Sequence, residues 1–281
     1  MTLLSQWEET AETSEGECSY GWQGSHLYPQ HTSLTEPPRW PESVERVQPE
    51  TSTGAGIPMK SYILRVLIWS IVWGIVLLSF AGTLRWLSAW IYIIGNLSLS
   101  LLSSHLLHRN APDIAVERAR GPFQRGQTLS DRVMLTMMIT TNALLMVVVG
   151  MDKRFGWSDV PIGVQITGAA FILITAYTTY RVALENRFAT LVVKIQKDRG
   201  QKVIDTGPYQ YVRHPMYTGL IFRIIGTPLL LGSWWGLCLA SAAIVVVVVR
   251  IFLEEETLST GLEGYDRYIE RVPYRLIPLV W

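Results

Sequence analysis

Arg250, Glu254 and Glu255 stand at the end of a long Val-rich apolar run. Arg213 and His214 stand inside a second polar stretch, Gly207-Pro208-Tyr209-Gln210-Tyr211-Val212-Arg213-His214-Pro215-Met216-Tyr217-Thr218-Gly219. Arg250 and Glu254 are four apart, so on a helix they share a face. Ionisable groups taken from water at the end of a membrane helix are expensive and mark a functional hypothesis. A helix C-terminus also disfavours carboxylates through its dipole, so the run Glu254 to Glu256 at the expected end of that helix points to a positively charged ligand. In the other stretch two prolines and two glycines fix or free the backbone, and Arg213 sets a permanent cation beside the one side chain that titrates near neutral pH. Read blandly, the first group is a solvated acidic helix end and the second an interfacial turn whose arginine meets lipid phosphate.

Several other chemistries lack their residues. The chain has no GxSxG elbow, Walker A loop, HExxH, CxxC or GxGxxG, which removes serine-elbow hydrolysis, P-loop phosphoryl transfer, the usual zinc sites and a soluble dinucleotide or methyltransferase Rossmann domain. His105 and His108, three apart, have no third ligand nearby and read as interfacial histidines; no metal site is expected. Cys18 and Cys238 lie in segments too unlike to suggest a disulfide. The net charge of +1 over 281 residues points to no nucleic acid.

The elements that must hold these residues are apolar and long. Hydrophobic residues make up 49% of the chain and charged ones 17%, with 11 tryptophans, a balance that favours a membrane protein. Residues 1–57 lack a helical or strand period and read as a disordered polar tail, without the features of a secretory signal or mitochondrial presequence. At 1.5 Å per residue, a run of about 20 apolar residues crosses the roughly 30 Å hydrocarbon core. Such runs are expected at 62–80, 84–107, 133–150 and 161–182, with Gly82 and Thr83 as a tight turn and Asp152 to Arg154 as a short charged loop. Residues 185–196 read as an amphipathic interfacial helix carrying Arg187, Lys194 and Lys197. Residues 220–231, interrupted by Arg223, Gly226 and Pro228, read as a short or broken membrane helix, and 234–253 as a further span. Pro273 and Pro278 forbid a continuous helix in the last residues, which should fold back on the site-bearing loops.

The expectation is an all-α integral membrane protein of about five to six transmembrane helices in hairpins. It would comprise the tail (1–57), N-terminal hairpins (58–183) and a C-terminal region (184–281) whose cofactor-binding loops face the cytoplasm. Basic residues gather in the 109–132 and 183–214 loops, so the positive-inside rule sets those loops and both termini in the cytoplasm. The membrane would be the endoplasmic reticulum in a eukaryote and the inner membrane in a bacterium.

The spacing Gly207-Pro208-Tyr209-x-x-Val212-Arg213-His214-Pro215-Met216-Tyr217-x-Gly219, then Arg250-x-x-x-Glu254-Glu255-x-x-Leu258, then Tyr265-x-x-Tyr268-x-x-Arg271-Val272-Pro273 resembles the isoprenylcysteine carboxyl methyltransferase family of integral membrane enzymes, related to phospholipid methyltransferases. The likeness covers about 185–281 and weakens back to about 84. It implies S-adenosyl-L-methionine as methyl donor, bound at the cytoplasmic mouth, and a lipophilic or prenylated acceptor arriving from the bilayer. Carried over by position, Gln196, Gln201, Lys202, Val203, Ile204, Tyr209, His214, Pro215, Met216 and Tyr217 would contact the cofactor; Glu254 would hold its ammonium and Arg250 would face the acceptor. Gln201 departs from the family's more frequent histidine.

A carboxylate acceptor is already ionised at neutral pH and needs no base, whereas an amine acceptor must first lose a proton, with Glu255 or His214 as candidate base. Two further alternatives are an NADPH-dependent membrane sterol reductase, which resembles the same C-terminal region, and a non-catalytic membrane scaffold.

Overall fold

A computed structural model describes residues 59–124, 127–190, 192, 193, 195, 196 and 199–281. The expected tail, and Lys194 and Lys197 of the expected interfacial helix, lie outside these residues. The described helices belong to one compact unit. Among the described residues there are eight α-helices and no strands, and five of the helices are long and apolar enough to cross a membrane. The protein is an all-α integral membrane protein.

Helix α1 (Met59–Ala81) ends where Gly82 turns to φ +66°, and α2 (Leu87–Asn110) runs back beside it. Pro112, at the first turn of the short α3 (Pro112–Ala119), is tolerated there because an N-terminal N–H has no helical partner to lose. Helix α4 (Leu129–Phe155) opens on Thr128, whose hydroxyl accepts from the Asp131 N–H at 3.2 Å, and closes on Gly156 at φ +65°. Helix α5 (Ile162–Glu185) returns. Helix α6 (Pro215–Leu231) has 17 residues, about 26 Å at 1.5 Å per residue, and α7 (Trp234–Gly261) has 28. The short α8 (Tyr265–Arg271) leads into the C-terminal residues.

Three expectations change. Asp152 to Arg154 are the last turn of α4, where Lys153 and Arg154 suit the negative end of the helix dipole. Asp152 is buried at 2% exposure, where it accepts from Ser158 Oγ at 2.7 Å and from Ser233 Oγ, tying the end of α4 to the start of α7. The interfacial helix over 185–196 is absent from the described residues: α5 stops at Glu185, and Asn186 Oδ1 accepts the Phe188 N–H at 2.8 Å, a local turn that competes with helical hydrogen bonding. Finally, α7 continues beyond the glutamates to Gly261, so Glu254 to Glu256 are not at a helix end and the dipole argument for a cationic ligand falls.

Packing at the end of the bundle away from the glutamates is apolar, built around Leu77, Ala89, Met146, Val149 and Ile172. Helices α5 and α6 meet through Gly168 and Gly226: a Cβ at Gly226 would lie 2.8 Å from the Gly168 carbonyl oxygen. Small residues at such a crossing let two backbones approach in lipid, where van der Waals contact replaces the hydrophobic effect. This seam fixes α6, whose other end starts at His214 and Pro215.

Candidate active site

The site lies at the end of the bundle where α5 finishes, α6 begins and α7 carries its charged residues. Its walls come from the 186–214 connection, the N-terminal half of α6, the last turns of α7 and α8. The connection is held by side chains rather than by a continuous helix. Asn186 Nδ2 donates to the Tyr209 hydroxyl at 2.9 Å, and Gln196 Nε2 donates to the Phe188 carbonyl at 2.9 Å. The Gln196 N–H donates to Gln201 Oε1 at 2.7 Å, and Arg199 donates to Gln196 Oε1 at 2.6 Å. Residues 207–210 form a 3-10 turn begun by Gly207 at φ +58°, and the Tyr268 hydroxyl donates to the Tyr209 carbonyl at 2.9 Å.

The C-terminal residues do fold back on this segment. The N–H groups of Arg213 and His214 donate to the carbonyls of Tyr274 and Arg275, each at 2.9 Å, and Thr218 Oγ1 donates to the Leu276 carbonyl at 2.9 Å. Below that seam sits Glu255. Its Oε1 accepts from Arg213 Nε at 2.7 Å and lies 3.2 Å from His214 Nε2, while its Oε2 accepts from Arg275 Nε at 2.8 Å. Arg213 also donates to the Val272 carbonyl at 2.8 Å and is 5% exposed. The lipid-anchor reading of Arg213 therefore gives way to a buried ion cluster joining α6, α7 and the C-terminal residues. The cations facing Glu255 are the protein's own.

Glu254, one residue earlier, faces elsewhere. Its Oε2 accepts from the Tyr217 hydroxyl at 2.6 Å, and that same oxygen of Tyr217 accepts from Arg250 Nε at 2.8 Å. Arg250, 4% exposed, pairs with Asp131 Oδ1 at 2.8 Å and donates to the Met138 sulfur at 3.4 Å. Asp131 Oδ2 accepts from Gln127 Nε2 at 2.6 Å and from the Val193 N–H at 3.3 Å. Asp131 thus links the first turn of α4, the 186–214 connection and Arg250.

Two cavities meet here. A cleft of about 800 Å³, open to solvent, has Glu254, Tyr217, His214, Met216 and Tyr209 on one side and Gln201 to Ile204 on another. A second chamber of about 470 Å³ is lined by Asp131, Arg250, Glu256, Met134 and Leu253. Glu254 and Val193 line both. Of the residues expected to touch a cofactor, Gln201, Lys202, Val203, Ile204, Tyr209, His214, Met216, Tyr217 and Glu254 share the cleft. Gln196 and Pro215 do not line it: Gln196 is buried behind, bracing the connection, and Pro215 opens α6. Arg250 lines only the second chamber, and Glu255 lines neither.

The structure adds residues that spacing did not single out. Tyr265 and Tyr268 of α8 line the cleft. Burial, above all, raises the phenol pKa of Tyr209, Tyr265 and Tyr268, so all three remain neutral donors at physiological pH. The Tyr265 hydroxyl is buried with no hydrogen-bond partner among the described residues, which leaves a donor for a ligand. Asp131 was missed because it lies in a polar, arginine-rich stretch of sequence far from Arg250; its position at a helix first turn behind Thr128 was the available signal.

A ligand that joins a planar base to an ammonium fits this cleft. An aromatic wall suits a base, Glu254 suits an ammonium, Tyr265 offers an unused hydroxyl, and Lys202 stands at the exposed rim. Residues 164–262 match the phospholipid methyltransferase family. Two curated proteins are similar to about a third of the chain. One is protein-S-isoprenylcysteine O-methyltransferase B of Arabidopsis thaliana, 33% identical over 93 residues, which are 31% of this chain and 45% of that protein. The other is protein-S-isoprenylcysteine O-methyltransferase of Schizosaccharomyces pombe, 30% identical over 91 residues, 32% of this chain and 38% of that one. The chain spans less than half the length of these relatives. The segment matched by the family, residues 164–262, includes α6, all of α7, the 186–214 connection and every expected cofactor-contacting residue.

Proposed function

We propose that the protein is a membrane methyltransferase that uses S-adenosyl-L-methionine to methylate a lipophilic acceptor, with the cleft on the cytoplasmic side of the membrane. The observation that carries this reading is the Tyr217 hydroxyl, which joins Glu254 of the cleft to Arg250 of the second chamber. One side of that link would hold the donor and the other the acceptor. The match to phospholipid methyltransferases and the names of the two relatives support the reaction class.

Bound in the cleft, S-adenosyl-L-methionine supplies a methyl group on a sulfonium, an electrophile that carries its own leaving group. The protein's task is then alignment rather than activation of a strong nucleophile. Glu254 takes the ammonium, Tyr209 and Tyr268 flank the base, and Tyr265 donates to a polar edge. Gln196 keeps the 186–214 connection in place without touching the ligand.

For a carboxylate acceptor, such as that of a prenylated cysteine, Arg250 supplies the orienting cation. One of its Nη groups is held by Asp131; the other donates to the Met138 thioether. No base is needed, since the acceptor is ionised near neutral pH. The charge of the second chamber supports another reading, a phospholipid amine: Asp131, Glu254 and Glu256 outnumber Arg250 among its lining residues. The groups placed to take the amine's proton are then Asp131 and Glu256. Glu255, enclosed by Arg213, His214 and Arg275, lines neither cavity.

Transfer of radiolabelled methyl from S-adenosyl-L-methionine into a total lipid extract, followed by identification of the product, separates these readings. A base-labile methyl ester identifies the carboxylate acceptor, a base-stable N-methyl headgroup identifies the amine, and no incorporation by folded protein removes the proposal.

A further inference from the structure

Helices α1, α2 and α6, with residues 118–122, line a third, open cavity of about 1140 Å³ that shares no lining residue with the cleft or the second chamber. Three arginines line it: Arg65 from the early turns of α1, Arg118 from α3, and Arg223 from α6. None of the described residues lining it is acidic. Trp69, Trp73 and Tyr92 supply its aromatic wall, with Trp69 and Trp73 stacked at 5.9 Å between ring centroids.

The arginines are placed where a membrane protein ordinarily avoids them. Arg65 and Arg223 are both exposed on apolar helices, and Arg223 lies eight residues beyond Pro215, about 12 Å along α6. A cation at that depth is tolerated when it lines a polar cavity or meets an anion. Three cations around one cavity raise the local anion concentration. The cavity also has the two-part chemistry of a lipid, with a basic region for a phosphate and an aromatic, aliphatic wall for acyl chain. Basic pockets between membrane helices are a recurrent form of anionic headgroup site.

The geometry points to this cavity as a binding site for an anionic phospholipid, separate from the methyl-transfer site. The headgroup phosphate lies among Arg65, Arg118 and Arg223, and the first part of an acyl chain lies along Trp69, Trp73 and Ile93. The lipid fills a gap between the α1–α2 hairpin and α6, so it also braces that hairpin against a helix that carries the site.

The test uses the full chain, delipidated and returned to phosphatidylcholine nanodiscs containing a fraction of phosphatidylglycerol, with retained lipid counted by native mass spectrometry. The expected result is retention of one phosphatidylglycerol at least ten-fold more readily than phosphatidylcholine. The Arg65→Gln, Arg223→Gln double variant should lose that preference, and glycerol phosphate at matching concentration should not displace the lipid. Arg223→Gln alone, at an exposed position, keeps the test available if the double variant fails to fold. Equal retention of both lipids, an unchanged preference in the variants, or displacement by glycerol phosphate would each overturn the assignment. The count is independent of methyl transfer, so it stands whether or not the protein proves to be a methyltransferase.

Discussion

Glu254 and Glu255 are adjacent on one helix and occupy opposite environments. Around Glu255 the chain closes: two guanidinium groups and an imidazole fill the carboxylate's acceptor positions, and the C-terminal residues cover them. Around Glu254 it opens: one tyrosine hydroxyl is donated to it, and two cavities meet at its side. One glutamate run thus serves two environments, one closed by the protein's own cations and one open to two cavities. Glu255 ties Arg213, His214 and Arg275 together, while Glu254 lines both cavities and would meet what enters on the proposed reading.

The largest effect that would break this division is on Glu255. Removing one partner from a buried ion network costs about 3–5 kcal/mol because the remaining charges stay buried. Glu255→Ala should therefore lower the melting temperature sharply and reduce the yield of folded protein, measured by thermal unfolding in detergent. A Glu255 variant with native stability but no activity would instead restore it as a catalytic group.

Glu254→Gln should leave the melting temperature close to that of the parent and weaken the donor by about ten-fold or more, since a hydrogen bond to a charged group is worth about 1.5–3 kcal/mol. Titration with S-adenosylhomocysteine measures this. Tyr217→Phe, which removes the hydroxyl joining the two cavities, should lower kcat more than it raises the donor KM. Its two lost hydrogen bonds, each worth about 1 kcal/mol, together amount to roughly thirty-fold, of which about ten-fold is expected in kcat and the rest in KM. The smallest effect belongs to Gln196→Ala, which loosens the connection from behind: a few-fold loss in donor affinity with kcat retained. A larger loss would bring Gln196 to the ligand itself.

The membrane helices were legible in the sequence because long apolar runs have few alternatives in lipid, and the breaks at Gly82 and at Pro161 fell where expected. The cleft was legible through spacing: Tyr209, His214, Met216, Tyr217 and Glu254 do come together. What was not legible depended on partners distant in sequence. Whether Glu255 was a base or a structural anion could not be read without knowing that Arg275 and Arg213 converge on it. The continuation of α7 past the glutamates has the same origin, since those cations stabilise Glu255 inside a helix that its charge alone suggested would end. Asp131 carries no motif, and its pairing with Arg250 exists only once α4 and α7 are packed. The charged residues of 185–196 suggest an interfacial helix, whereas the described residues of 186–196 hold none: Asn186 accepts the Phe188 N–H, a local hydrogen bond that charge placement does not register.

The division between Glu254 and Glu255 rests on the claim that the cleft binds S-adenosyl-L-methionine through Glu254. Isothermal titration of the folded protein with S-adenosylhomocysteine, run beside Glu254→Gln and with NADPH as a control ligand, tests it most directly. The account predicts saturable binding to the parent protein, binding at least ten-fold weaker to Glu254→Gln at unchanged melting temperature, and none of NADPH. Parent protein that is folded yet binds no S-adenosylhomocysteine, or binds NADPH in its place, would contradict it.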